Sequence, residues 1–313
     1  MGTLRLDPTQ TRGIEKRWLR EINRRWSLFL KTILKPIGND LTVNQLEASA
    51  EQIRIYMGFL QTQIDSLLLV TDQGPNWQGR YQIQSYERAI TRSRAELRRQ
   101  GANIGLSIEE VQQSQLLTQP DFTAVPSITS GGPVVGAPPV LASTTITQAP
   151  IHQEALEFLF TRSYDSLKGH TDTMARELRG ILTDGVRQGK GIAEIKREIA
   201  ARVDVNKSRA RLIAQTETIQ AYQRGQINQA SLVGEEIGEE VNLRWLTRRD
   251  SKVRDLHARF HGQIMTEEEA STNINLSPFN CRCALAPVIE EADTPKEQDK
   301  FNDQRRQLLE SVA

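Results

Sequence analysis

The spacing of apolar residues predicts that most of the chain is helical. Near the start, apolar residues recur every three or four positions, as on one face of a helix. The members of this stripe are Ile14, Trp18, Ile22, Trp26, Phe29 and Ile33. A second series keeps this spacing and predicts a seam that packs against another helix, either within the chain or in a partner. It consists of Leu46, Ala50, Ile53, Met57, Leu60, Ile64 and Leu67. Further helices are predicted over about 81–100, 154–169, 172–187, 192–203 and 208–232.

Strand patterns are predicted in the last third of the chain. Val241, Leu243 and Trp245 alternate with other residues as in a half-buried strand, and 284–289 predicts a second one. The fold class is therefore mainly α with a small β element (α+β). It comprises a helical N-terminal domain and an α+β C-terminal domain.

A change in composition divides the chain. Residues 122–153 contain no Asp, Glu, Lys or Arg and are rich in Pro, Gly, Ser and Thr. Two interpretations stay open for this segment, a flexible linker and an extended arm that lies on a neighbouring subunit. We favour the arm, because its Val, Ile and Leu residues are more apolar than a linker needs. The predicted domains are a helical assembly domain at 1–117, the linker or arm at 118–150, an α+β domain at 151–290 and an acidic tail helix at 291–313.

The charge balance gives no global signal for nucleic acid or membrane. The chain has 40 Lys and Arg against 39 Asp and Glu. Locally, residues 1–35 carry nine basic and three acidic side chains, and arginines cluster again over 80–99. Such clusters are either solvated helix faces or weak DNA contacts. The candidate DNA contacts are Arg88, Arg92, Arg94, Arg98 and Arg99.

Neither secretion nor membrane insertion is expected. The N-terminus lacks the apolar segment of a signal peptide, and no apolar run approaches the ~18 residues of a membrane span. The two cysteines do not form a disulfide framework. We therefore expect a protein that folds in a reducing cytoplasm.

The residues with metal-binding chemistry concentrate near the C-terminal end. Cys281 and Cys283 are the only cysteines of the chain, and His257 and His261 lie just upstream at a spacing of four. Two thiolates and one or two imidazoles are common zinc ligands. The candidate zinc ligands are thus His257, Cys281 and Cys283, with Asp250 or His261 as the fourth. The alternative is that both cysteines are small core residues, since Cys-x-Cys is tighter than the usual ligand spacing.

Two other interpretations of these side chains stay open. A Cys nucleophile could be activated by His257 and oriented by Asp250, although many unrelated sequences meet this description. Arg254 and Glu217 would form a charged pair that holds the loop-rich segment to the long helix.

The order of these residues resembles a known family pattern. An Ala-x-Thr-Glu helix is followed by a tryptophan strand, an Asp with a downstream Val-Arg and His, a Gly, and finally a Pro and Asn-Cys-Arg-Cys. The matching residues are Ala214, Thr216, Glu217, Ala221, Gly225, Trp245, Asp250, Val253, Arg254, His257, Gly262, Pro278, Asn280, Cys281, Arg282 and Cys283. In this respect 209–287 resembles the phage Mu F-like minor head morphogenesis family.

The resemblance implies a structural minor head protein of a tailed bacteriophage. Such a protein is associated with the portal vertex and acts in capsid assembly, genome packaging or ejection. The implied partners are the portal protein, the major capsid or scaffolding protein and packaged DNA, with several copies around the portal and no membrane. The implied location is the virion, after assembly in the host cytoplasm. No catalytic residue and no cofactor beyond a structural zinc are expected. The alternatives are a DNA-binding accessory head protein and, less favoured, a hydrolase or transferase.

Overall fold

The computed structural model describes residues 8–37, 46–69, 77–104, 149–276, 279–289 and 294–312. Nearly all of the predicted linker or arm, and Pro278 of the family pattern, lie outside these residues. The described helices are α1 (Arg12–Leu34), α2 (Leu46–Gln63), α3 (Gly79–Arg99), α4 (Pro150–Arg187), α5 (Ile192–Ile237), α6 (Asp255–Phe260), α7 (Glu267–Leu276) and α8 (Pro295–Val312). Helix α2 continues as a π-helical segment, Ile64–Leu69.

Three strands complete the described fold. They are β1 (Val241–Leu246), β2 (Ile264–Met265) and β3 (Ala284–Ile289), and they form an antiparallel sheet in the order β2-β1-β3. The prediction of a mainly α fold with a small β element is confirmed. Among the described residues, no helix has the length and apolarity to cross a membrane.

The chain forms two compact units. The first contains Met1–Thr11, Ile83–Glu157 and Ile219–Ala313, and the second contains Arg12–Gln82 and Phe158–Thr218. Both units draw residues from the predicted N-terminal domain and from the predicted C-terminal domain.

The second unit is built on the predicted apolar stripe. All six members of the stripe on α1 are buried, and Trp18 stacks on Tyr81 with ring centroids 5.3 Å apart. Leu60 and Ile64 of the predicted seam are fully buried in the same core. For these two residues, the partner of the seam therefore lies within the chain.

The first unit packs the sheet against the C-terminal half of α5. Its core contains Trp245 and Leu243 of β1 together with Ile227 and Val233 of α5. Two buried glutamines of α5 also bond to the chain around β3, because Gln223 donates to the Cys283 carbonyl (2.9 Å) and Gln226 accepts from the Leu285 N–H (2.9 Å). These contacts position the start of β3, where the two cysteines lie.

The long helices were predicted as shorter pieces. The sequence pattern predicted breaks near Gly169 and near Asn206, whereas α4 and α5 are continuous at both places. Neither place contains proline, and a single glycine costs a helix only about 1 kcal/mol. Asn206 is buried and donates to the carbonyl of Arg202, one turn earlier, which is compatible with a helix interior.

Gly225 lies where α3 and α5 pack closely. A Cβ atom placed on it would lie 2.8 Å from the Tyr86 carbonyl oxygen and 2.9 Å from the Ala89 Cβ. We expect Gly225→Ala to lower the free energy of unfolding by about 1–3 kcal/mol, because this overpacking outweighs the gain of about 1 kcal/mol in helix propensity. Urea unfolding followed by circular dichroism measures the change.

Gly180 provides the matched control for this prediction. It lies on an exposed position of α4, and a Cβ there would meet nothing within 4 Å. Gly180→Ala should therefore raise the free energy of unfolding by about 0.5–1 kcal/mol. Equal stabilisation by the two substitutions would contradict a close approach at Gly225.

Candidate metal site at His257, Cys281 and Cys283

His257 lies on the short helix α6, close behind β1. Its side chain is buried, and its ring meets the edge of Trp245 with centroids 5.4 Å apart and planes at 76°. Phe260, one turn later on α6, contacts Trp245 in a similar way at 5.3 Å. The Nε2 atom of His257 makes no hydrogen bond to the described part of the chain. Aromatic packing therefore fixes the plane of the imidazole.

The two cysteines lie in the turn that leads into β3. Asn280 begins it with φ of 54°, a left-handed conformation that asparagine tolerates better than most residues. Cys281 and Cys283 are both buried, while Arg282 between them is partly exposed. The Cys283 N–H also donates to the Sγ of Cys281 (3.4 Å). The turn thus directs both sulfurs to one side.

These sulfurs converge on a single nitrogen. The Nδ1 of His257 lies 3.5 Å from the Sγ of Cys281 and 3.5 Å from the Sγ of Cys283. All three atoms lie within 4.8 Å of one another. The hydrogen bond from Cys283 lowers the pKa of the Cys281 thiol despite burial, and His257 adds to this effect. The same pairing, together with burial, raises the pKa of Cys283. The arrangement therefore favours a thiolate next to an imidazole.

Asp250 lies beside this cluster but is engaged elsewhere. Its two carboxylate oxygens accept from Arg282 at 3.0 and 3.1 Å, and one also accepts from the backbone N–H of Lys252. Burial by itself would raise the pKa of Asp250, but the hydrogen bond and charge of Arg282 outweigh it and lower the pKa. The carboxylate therefore serves as the partner of Arg282, and it orients neither His257 nor a cysteine.

His261 also has its ring nitrogens committed. Its Nδ1 accepts from the backbone N–H of Thr247 (3.1 Å), and its Nε2 lies 3.1 Å from Oε1 of Gln304 on α8. Burial lowers the pKa of His261, which keeps the ring neutral in this role. The structure thus joins His257, Cys281 and Cys283 into one cluster, with His261 outside it.

Gly262, the next residue after His261, lies where α8 packs closely against the chain. Its φ is +80°, and a Cβ atom there would lie 2.5 Å from the Cβ of Phe301 on α8. The glycine of the pattern is therefore required both by the backbone conformation and by the approach of the tail helix.

The expected pair between Arg254 and Glu217 is corrected by the structure. Glu217 is buried and binds Arg162 of α4, with 2.9 Å between Oε1 and the guanidinium. Arg254 donates to the carbonyl of Phe279, at the turn that precedes the cysteines. Each residue is thus paired, but with a different partner from the one predicted.

The region with this geometry coincides with a family match. Residues 176–286 match the family described as Phage Mu protein F like protein. The match covers less than half of the chain, and it confirms the resemblance found in the sequence. It assigns this Mu F-like segment to a family of phage head proteins. Neither the curated proteins nor the solved structures give a significant match to the chain.

The arginines proposed as DNA contacts lie N-terminal to the Mu F-like segment, on α3. Arg88 and Arg92 donate to the carbonyls of Gln10 and Pro8, and Arg98 donates to the carbonyl of Ile104. Arg94 pairs with Glu236 at 3.5 Å, and the exposed Arg99 pairs with Glu96 at 2.9 Å. Each of the five therefore has a partner within the chain, and their contact with DNA stays a prediction.

The sequence analysis missed a row of glutamines that supports the site. Gln220, Gln223, Gln226 and Gln229 follow one another every three residues on α5, and all four are buried. Gln223 and Gln226 bond to the chain around Cys283, and Gln220 donates to the carbonyl of Ile274 (3.3 Å). On an α-helix each step of three residues turns the position by about 60°, so Gln220 and Gln229 face opposite sides of α5. Burial of all four therefore means that α5 is enclosed on more than one side.

Proposed function

We propose that this protein is a structural minor head protein of a tailed phage. It associates with the portal vertex and contributes to capsid assembly, genome packaging or ejection. Its location is the virion, after assembly in the host cytoplasm. Its direct partner is the portal protein, with the major capsid or scaffolding protein and packaged DNA as neighbours. We further propose that it has no enzymatic activity.

The match over 176–286 carries this proposal. The segment contains the ordered pattern from Glu217 to Cys283, and most of the described members of that pattern serve to hold the chain together. Trp245 fills the core, Asp250 binds Arg282, and Gly262 admits the tail helix. This use of the pattern supports a structural domain.

The space next to the cysteines also supports a structural role. The cavity bordered by His257, Cys281 and Cys283 has a volume of about 20 Å³. This volume is enough for a water molecule, whereas pockets for organic ligands measure about 300–1,000 Å³. The carboxylate of Asp250, the group considered for orienting His257, is bound to Arg282 instead.

Procapsids assembled with and without the portal protein test the proposal. The protein is co-expressed with the capsid, scaffolding and portal genes of its own phage, and particles are purified on a gradient. We expect it in portal-containing particles at a few copies each and expect it to be lost when the portal gene is omitted. Quantitative mass spectrometry of the particles gives the copy number.

Two results would count against parts of this proposal. Equal incorporation in particles without the portal would remove the portal as the direct partner. Absence from complete virions would remove the structural head role altogether.

A further inference from the structure

We propose that His257, Cys281 and Cys283 bind one Zn²⁺ ion and that a solvent molecule completes its tetrahedral coordination. The ligand atoms are Nδ1 of His257 and the two Sγ atoms. This inference goes beyond the head-protein assignment and does not depend on it.

The distances agree with a tetrahedral ion at the centre of the cluster. Zinc binds sulfur at about 2.3 Å and imidazole nitrogen at about 2.0–2.1 Å, so a tetrahedral angle separates the two ligand atoms by about 3.5 Å. Both nitrogen–sulfur separations in the structure are 3.5 Å. Both nitrogen–sulfur separations therefore match those of a tetrahedral zinc site.

The chemistry of the donors selects zinc over other common ions. Two thiolates and an imidazole suit zinc, whereas magnesium and calcium require oxygen ligands. A cation satisfies all three atoms together.

The fourth position opens into the cavity of about 20 Å³ beside the cysteines, which is large enough for a water molecule. Both protein candidates for this position are engaged elsewhere, since Asp250 binds Arg282 and His261 contacts Thr247 and Gln304. Arg248, Lys252, Arg254 and Arg282 also border the cavity. Cationic side chains around the open position favour an anion there, such as hydroxide or azide.

Zinc at this position would tie α6 to the turn that precedes β3. His257 is 24 residues from Cys281 and 26 from Cys283. The pair between Asp250 and Arg282 and the bond from Arg254 to the Phe279 carbonyl already join these two segments, and the ion would add a further link. Structural zinc contributes directly to the free energy of folding, because the site exists only in the folded chain. The ion would thus add to the core contacts that Cys281 and Cys283 make in the first unit.

Metal analysis of the full-length wild-type protein is the primary test. The protein is purified in reducing buffer without chelators, equilibrated with ZnCl₂ and desalted. We expect one zinc per chain by plasma mass spectrometry and expect removal with a strong chelator to lower the melting temperature by several degrees. Zinc-free protein that remains folded and does not take up the ion would overturn the proposal.

Substitutions assign the ligands. Cys281→Ser, Cys283→Ser and His257→Ala should each reduce zinc binding at least tenfold, whereas the control His261→Gln should keep one zinc per chain. Retention of zinc by all three ligand variants would contradict the assignment. If the variants fail to fold, cobalt binding to the wild type replaces them, since sulfur-to-cobalt charge-transfer bands require thiolate ligands. Octahedral cobalt spectra without these bands would reject the site.

The open fourth position has its own readout. Azide added to the cobalt-substituted wild-type protein should shift the visible bands of the tetrahedral ion as it replaces solvent. Unchanged bands at saturating azide would show a closed site and overturn this part of the proposal.

Discussion

Trp245→Ala is expected to lower the free energy of unfolding of the first unit by about 3–5 kcal/mol, the range for removing a buried tryptophan. The side chain is fully buried on the central strand of the sheet. It meets the rings of His257 and Phe260, both on α6. Its removal leaves a cavity between the sheet and α6. A six-residue helix has little stability of its own, so α6 depends on this contact.

Urea unfolding followed by far-ultraviolet circular dichroism measures this loss, because the substitution removes part of the fluorescence signal. Trp245→Phe is the matched control. It keeps an aromatic ring against α6, so we expect it to cost clearly less than the alanine variant. Equal losses for the two variants would mean that the ring contacts with α6 contribute nothing to stability. A loss below about 1 kcal/mol for Trp245→Ala would contradict its central place in the core.

Arg162→Gln is expected to cost about 3 kcal/mol at neutral pH, and less in mild acid. Only 5% of the Glu217 side chain is exposed, and Arg162 is its ion-pair partner. Without the guanidinium, the carboxylate remains buried without a counter-charge. At low pH Glu217 becomes protonated and loses its charge, so the loss in free energy of unfolding becomes smaller.

The direction of this dependence follows from the pKa of Glu217. Burial raises that pKa above its ordinary value of 4.5, although Arg162 opposes the shift. Between pH 4.5 and the folded pKa, the folded state therefore holds a proton that the unfolded state has lost. The stability associated with this group is complete below 4.5 and is lost as pH rises through the folded pKa. Removing Arg162 raises the folded pKa further and makes this loss larger.

Unfolding of Arg162→Gln at pH 4.5 and at pH 7 tests this prediction against two controls. In the double variant Arg162→Gln/Glu217→Gln, the added pH dependence should disappear. Arg187→Gln breaks an exposed pair with Asp184 on the same helix, and we expect no measurable loss. The same loss for Arg162→Gln at both pH values would show that the carboxylate of Glu217 does not carry the effect.

The repeating patterns of the sequence predicted the secondary structure well. The stripe from Ile14 to Ile33 is buried along its whole length, and 241–246 and 284–289 are strands. These predictions succeed because burial of one face requires a fixed period, and the period is visible in the order of residues. Helix interruptions were predicted less well, since Gly169 and Asn206 weaken a helix only slightly and packing determines whether it continues.

At the candidate site too, the sequence predicted some features, while others depended on packing. The Cys, His and Asp residues were recognisable from their types and from the family pattern. Their hydrogen-bond and ion-pair partners could not be predicted, because Asp250, Arg254 and Glu217 can each pair with any suitable group nearby. In the structure these partners are Arg282, the Phe279 carbonyl and Arg162. Which partner lies nearby depends on the positions of helices and turns that are distant in sequence.

The predominance of helix, the small sheet and the family of 176–286 could all be predicted from the order of residues, because they depend on periodicity and on distinctive residue types. The different positions of the two histidines could not, since folding places His257 Nδ1 3.5 Å from both sulfurs while His261 contacts Thr247 and Gln304. Two histidines four residues apart are equivalent in a sequence pattern. They differ here because α6 ends at Phe260, so the two rings no longer share one helix face.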